Sequence, residues 1–152
     1  MNQISPLTAA DLAAALQIER ACHAFPWSEQ TFASNQSAHY LNVKLTVAEK
    51  MVGFAITQLL LGEATLFNLA IHPEYQRQGY GYLLLQHLTT QLKQRAALTL
   101  WLEVRASNSG AIALYERAGF NQVSRRTDYY PGINSGINNG REDAIIMALS
   151  LA

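Results

Sequence analysis

Gln76-Arg77-Gln78-Gly79-Tyr80-Gly81 follows an apolar, strand-like run, Leu66-Phe67-Asn68-Leu69-Ala70-Ile71. It opens an apolar-periodic helix from Gly79 to Arg95, with Leu84, Leu88 and Leu92 on one stripe. Two glycines at a helix start leave backbone N–H groups uncovered, so something bulky and anionic can approach them. Aligned peptide dipoles add about half a positive charge at that end, which makes it a cradle for phosphate. The stretch points to a phosphate-bearing cofactor before any catalytic residue is considered.

Upstream, Leu7 to Cys22 reads as a helix; Phe25-Pro26-Trp27-Ser28 interrupts it, and Ser28 is placed to cap a second short helix. Tyr40 to Val47, Met51 to Leu61 and Ala64 to Ile71 are β-rich runs with tight connections, which favours an antiparallel meander. Downstream, Leu98 to Val104 alternates as a strand. Leu98, Leu100, Leu102 and Val104 share one face, and Thr99, Trp101 and Glu103 the other. Asn108 to Ala118 is a helix stopped by Gly119. Phe120 to Tyr130 and Asp143 to Leu149 are the closing strands, separated by a flexible Gly- and Asn-rich loop from Pro131 to Gly140. A strand, a crossover helix and a second strand imply one parallel pair. The expected architecture is α/β: a mixed, mostly antiparallel sheet flanked by helices, as a single domain over residues 1–152.

Composition bounds the class. A length of 152 residues, 49% hydrophobic and 14% charged, describes a globular chain. Basic and acidic residues balance at 11 each, which argues against a nucleic-acid partner. The one cysteine, Cys22, excludes an internal disulfide and fits a reducing compartment; without a placed base it reads as a small buried residue rather than a nucleophile. The start, Met1 to Pro6, lacks the pattern of a signal peptide, and apolar runs break well before the roughly 18 residues of a membrane span. A cytoplasmic protein with no membrane contact is expected. His23, His39, His72 and His87 show no ligand spacing, so no metal is expected.

Competing phosphate motifs fit the glycine stretch poorly. A P-loop needs Lys-Ser or Lys-Thr after its glycines, and neither pair is present. A dinucleotide fingerprint needs a third small residue where Leu84 stands, and a tight turn where His72 to Gln78 intervene. The remaining pattern, Gln/Arg-x-x-Gly-x-Gly/Ala after a strand, resembles the acetyl-CoA signature of the GNAT N-acetyltransferases. The resemblance implies a GNAT fold with acetyl-CoA as acetyl donor. It implies that the backbone amides of Arg77, Gln78, Gly79, Tyr80, Gly81 and Tyr82 hold the pyrophosphate. Leu69, Ala70 and Ile71 would offer main-chain bonds to the pantetheine arm and the acetyl carbonyl.

Acetyl transfer to an amine poses two proton problems: an ammonium must lose a proton before attack, and the departing thiolate must gain one. Glu103, at a strand end, suits the first task through a water, although it also reads as a solvated charge or a partner for Arg105. Arg105 itself reads equally as a substrate ligand or an ion-pair partner. Tyr115 matches the position that carries the acid in the family, and a phenol stays protonated at neutral pH. Asn108 is a helix cap whose family counterpart also bonds the pantetheine arm.

Four further segments carry a closer resemblance: His23 to Ser28, Leu102 to Asn108, Tyr129-Tyr130-Pro131, and Arg141 to Met147. Together they resemble the branch of the family that acetylates the amino-terminal alanine of a small-subunit ribosomal protein. The partner implied is that protein's N-terminal tail, in a slot walled by Trp27, Tyr129 and Tyr130. Glu29, Glu142 and Asp143 are the acids available to a basic tail. Two rivals stay open: a small-molecule amine acetyltransferase of the same fold, and a non-catalytic acetyl-CoA-binding module.

Overall fold

The computed structural model describes residues 1–131 and 141–152, and the loop expected over 132–140 lies outside the described residues. The strands are β1 (Asn2–Pro6), β2 (Val43–Val47), β3 (Lys50–Leu60), β4 (Glu63–Ile71), β5 (Thr99–Arg105), β6 (Asn121–Pro131) and β7 (Arg141–Ser150). The helices are α1 (Leu12–Cys22), α2 (Glu29–Ser34), α3 (Tyr80–Gln94) and α4 (Ser109–Arg117). The strands form one sheet in the order β1-β2-β3-β4-β5-β7-β6, antiparallel throughout except for β4 against β5. The expected meander and parallel pair are both present.

Two corrections apply near the N-terminus. Asn2–Pro6, which carries no strand expectation, pairs antiparallel with β2. The helix expected from Leu7 begins with a 3₁₀ turn at Ala9–Asp11, where Asp11 Oδ2 accepts the Thr8 N–H at 2.8 Å, and turns α-helical only at Leu12.

Core packing follows the apolar stripes. On one face of the sheet Leu84, Leu85, Leu88 and Leu92 of α3 are fully buried against Leu100 and Leu102 of β5, and Tyr115 of α4 joins them. On the other face Ala15 and Ile18 of α1 and Phe32 of α2 pack on Phe54, Ile56 and Ala70. Each large apolar side chain buried this way contributes roughly 1.5–3 kcal/mol. Leu98, expected to share the buried face of β5, precedes the strand and is 58% exposed.

Two irregularities shape the centre of the sheet. The β3–β4 register shifts so that Ile56 faces Asn68 while Thr57 faces Leu66, which leaves Phe67 as the extra residue of a bulge. The bulge reverses the alternation of β4: Ala64 and Leu66 share the α3 face with Leu69 and Ile71, while Asn68 and Ala70 turn toward α1. In addition, β4 and β5 pair only from Glu63↔Thr99 to Leu66↔Leu102. Beyond those residues the parallel strands are unpaired with each other, and a cleft opens between them.

Candidate active site

The cleft is a cavity of about 580 Å³. Its walls come from Phe67, Asn68 and Leu69 of β4, Glu103 and Arg105 of β5, and Asn108 and Tyr115 around α4. Phe25 and Trp27 of the α1–α2 loop, with Tyr130, Pro131 and Glu142 of the last strand pair, close the opposite side. Of the residues expected at a site, Glu103, Tyr115, Leu69, Asn108, Trp27 and Tyr130 therefore meet around one space. A second cavity, of about 410 Å³, lies between the β1–β2 edge and α3 and is lined by none of them.

Tyr115 is 7% exposed, and burial first, then the neighbouring Tyr130 phenol, push its hydroxyl pKa well above the ordinary tyrosine value. It stays protonated across the neutral range. Its ring packs on Phe120 at a centroid distance of 5.6 Å, which holds it to the core. Glu103 lines the same cavity from β5. Its nearest cation is Arg126 of β6, with Nη2 at 3.8 Å from Oε1, not Arg105. Tyr130 is pushed up to about 12, chiefly by burial and then by the Glu103 carboxylate. Asn108 caps α4, its Oδ1 accepting the Ala111 N–H at 3.1 Å.

Arg77 to Tyr82 lie outside the cavity walls, at the start of α3. Arg77 (φ +63°) and Gly79 (φ +84°) are both left-handed, an arrangement that turns successive N–H groups toward one concavity. The first helical bond is Leu83 N–H to the Gly79 carbonyl, so the amides of Tyr80, Gly81 and Tyr82 have no helical acceptor. A Cβ on Gly79 would meet nothing within 4 Å. Free donors facing open space fit a pyrophosphate. Gly81 has a different reason: a Cβ there would stand 3.1 Å from Leu114 Cδ2, so this glycine allows α3 to approach α4 rather than baring backbone. Gln76 secures the loop, its Nε2 donating to the Ile71 carbonyl at 2.8 Å. That carbonyl also accepts from Cys22 Sγ at 3.1 Å, so among Leu69, Ala70 and Ile71 only Leu69 opens onto the cavity.

Tyr129 does not join the wall expected of it. The β6–β7 register shifts between Arg126 and Tyr130, and Asp128 is left-handed (φ +53°), so the extra residues turn Tyr129 outward against Arg126. Two of the three acids considered for a basic tail are engaged. Glu142 pairs with Arg105, and Asp143 accepts from Arg125 and from the Asp128 N–H.

Sequence reasoning missed Glu19, which is 1% exposed and reaches the cavity. Its Oε2 accepts the Trp27 N–H at 2.8 Å and its Oε1 accepts Asn68 Nδ2 at 2.9 Å. His23 Nε2 stands 3.4 Å from Oε1 without the alignment of a hydrogen bond. A signal was available: Glu19 is the one charge on the stripe Ala15, Ile18, Glu19, Cys22 at helical spacing. Phe25 and Phe67, 43% and 44% exposed, are two further cavity residues outside the expected set.

The family model for the acetyltransferase (GNAT) family matches residues 12–120. The chain belongs to the GNAT acetyltransferase family. GNAT acetyltransferases use acetyl-CoA. The [ribosomal protein bS18]-alanine N-acetyltransferase of Escherichia coli K12 is 59% identical over 152 residues, 100% of this chain and 99% of that one. Its counterpart in Haemophilus influenzae is 48% identical over 151 residues, 99% of this chain and 100% of that one. The crystal structure of the ribosomal-protein-S18-alanine N-acetyltransferase from Escherichia coli superimposes with a TM-score of 0.93, at 59% identity, covering 100% of this chain and 95% of that one. Among the described residues no helix is long and apolar enough to cross a membrane, and no group of three or more His, Cys, Asp and Glu is placed to hold a metal.

Proposed function

We propose that this chain acetylates the amino-terminal alanine of small-subunit ribosomal protein bS18, with acetyl-CoA as the donor. The observation that carries the reading is one cavity lined by a carboxylate, a buried phenol and the aromatic side chains Phe25, Trp27 and Tyr130. Full-length identity to proteins of that activity supplies the acceptor.

Acetyl-CoA supplies an activated thioester. The amides of Tyr80, Gly81 and Tyr82, with Arg77, Gln78 and Gly79, are the residues that would hold its pyrophosphate. The main chain of β4 at Leu69 and the side-chain amide of Asn108, both lining the cavity, would bond the pantetheine arm. Glu103 takes a proton from the acceptor ammonium through a water, which frees the nitrogen lone pair for the carbonyl carbon. The Tyr115 hydroxyl gives its proton to the departing thiolate. Its buried setting keeps that proton in place until a sulfur base appears. Phe25, Trp27 and Tyr130 wall the mouth and exclude water around a small first side chain. The workplace is the bacterial cytoplasm, where ribosomal proteins are made, and no nucleic acid or membrane takes part.

The test mixes the protein with acetyl-CoA and a peptide beginning Ala-Arg, following thiol release and peptide mass. Transfer to the α-amine is expected. No transfer to the peptide but rapid transfer to a free polyamine would replace this reading with a small-molecule acetyltransferase. Cofactor binding without transfer to any amine would make the protein a binding module.

A further inference from the structure

Arg105 is half-buried at the end of β5, and it is held on every side. Its guanidinium carbon lies 5.0 Å from the Phe25 ring centroid and 4.6 Å from that of Tyr130. Its Nη1 donates to the Pro131 carbonyl at 2.7 Å and to Glu142 Oε1 at 2.9 Å. Glu142 extends the connection to the turn after β5, its Oε2 accepting the Ser107 N–H at 3.1 Å. One side chain thus ties the α1–α2 loop, the end of β5 and the root of the β6–β7 pair, the three pieces that face each other across the cavity mouth.

We propose that Arg105 is a positioning residue that sets the width of the acceptor slot, and with it the preference for a small first side chain. The inference rests on the reading of the cavity as an acetyl-acceptor site. Arg105 suits the task through its shape as much as its charge. A guanidinium is planar, so it can lie against two aromatic rings while its edge donates to a carbonyl and a carboxylate. Its charge is already met by Glu142, so it offers no free cation to a substrate. Without it, Phe25 loses its cation–π contact with β5, and Pro131 loses the bond that its carbonyl accepts from that strand. The slot would widen at its mouth while Tyr115 and the α3 cradle, on other elements, stay in place, and Glu103, on the same strand, keeps its backbone pairing with Ile146. A lysine keeps the charge but loses the plane and the fork.

The test compares wild type, Arg105→Lys and Arg105→Ala, all full length. Steady-state kinetics use peptides identical except for a first residue of Ala, Ser, Val or Leu. Backbone hydrogen exchange of residues 23–28 is measured without any substrate. Both variants should raise the KM for the Ala peptide about tenfold and shrink the Ala-over-Leu preference by about tenfold, the scale at which a hydrophobic pocket discriminates. The KM for acetyl-CoA should hold within about twofold, and residues 23–28 should exchange faster. Full rescue by lysine would overturn the proposal, because charge alone would then suffice. So would an unchanged preference, or a parallel loss of Tm, kcat and acetyl-CoA affinity. If the wild type acetylates none of the peptides, the ribosomal reading fails; unchanged exchange at 23–28 in Arg105→Ala would separately overturn the clasp.

Discussion

Tyr115 and Glu103 line the same cavity, and each makes a prediction of its own. Tyr115→Phe removes only a hydroxyl from a buried ring, so packing on Phe120 survives. Turnover should fall about 10²–10³-fold while acetyl-CoA affinity holds, the range typical of losing a general acid. Isothermal titration and steady-state rates read the two separately, and full turnover would remove Tyr115 as the acid. Glu103→Gln should lose most activity at lower pH, where more of the acceptor carries its proton; a pH–rate profile parallel to wild type would count against the base. Cys22 invites an alkylation test. Burial, then the Glu19 carboxylate, push its thiol up to about 11, and the thiol proton is already donated to the Ile71 carbonyl. It should react with iodoacetamide near neutral pH far more slowly than free cysteine does, a difference that mass spectrometry measures directly.

The loop-to-helix junction at α3 makes its prediction at the level of the element. Gly79→Ala places a Cβ in a left-handed residue, at a cost of about 1–2 kcal/mol, and puts a methyl group where the pyrophosphate is expected. Cofactor affinity should fall more than stability does. Gly81→Ala pushes instead on Leu114, so it should lower Tm with a smaller effect on cofactor binding. Equal profiles for the two variants would mean that the glycines share one role. Sequence already exposes this junction, because helix periodicity and strand alternation are strong on both sides of it and the cap residues are local. Strand β1 was hidden for the opposite reason. Ile4 is its one large aliphatic side chain, it lies at the sheet edge, and its partner Val43–Val47 is far along the chain. The bulges at Phe67 and around Asp128 were equally hidden, since alternation says nothing about where an extra residue is inserted. Those two insertions decide which aromatics face the cavity, so Phe67 was missed and Tyr129 misplaced. The positions of Glu103, Asn108 and Tyr115 around the cavity were legible because they attach to a strand end, a helix cap and a helix face.

Across the whole molecule, stability near neutral pH is bracketed by two sets of shifted groups. Burial raises the Asp11 pKa, but the bond from Lys44 and the Thr8 N–H outweigh it, and the net shift is downward. Glu142 behaves alike: burial opposes, Ser107 and Arg105 prevail. Asp143 is lowered by the Asp128 N–H and by Arg125. A carboxylate with a depressed folded pKa stabilises the fold above its unfolded value, about 4, and loses that contribution as pH falls through the folded value. Tyr115, Tyr130 and Cys22 are raised, so their contribution is complete below their unfolded values and fades as pH climbs, from about 9 upward. The Tm should therefore form a plateau between about pH 5 and 9, with a fall on each side. Combining Asp11→Asn with Glu142→Gln should lower the plateau, and the gap to wild type should narrow as the pH drops toward about 3, where both carboxylates of the wild type take up protons. The Arg105 clasp loses its charged partner in the same window, so protection factors at residues 23–28, corrected for the intrinsic pH dependence of amide exchange, should fall in wild type as pH falls and change little in Glu142→Gln. A gap that stays constant down to about pH 3 would show that these carboxylates are no better stabilised in the folded chain than in the unfolded one.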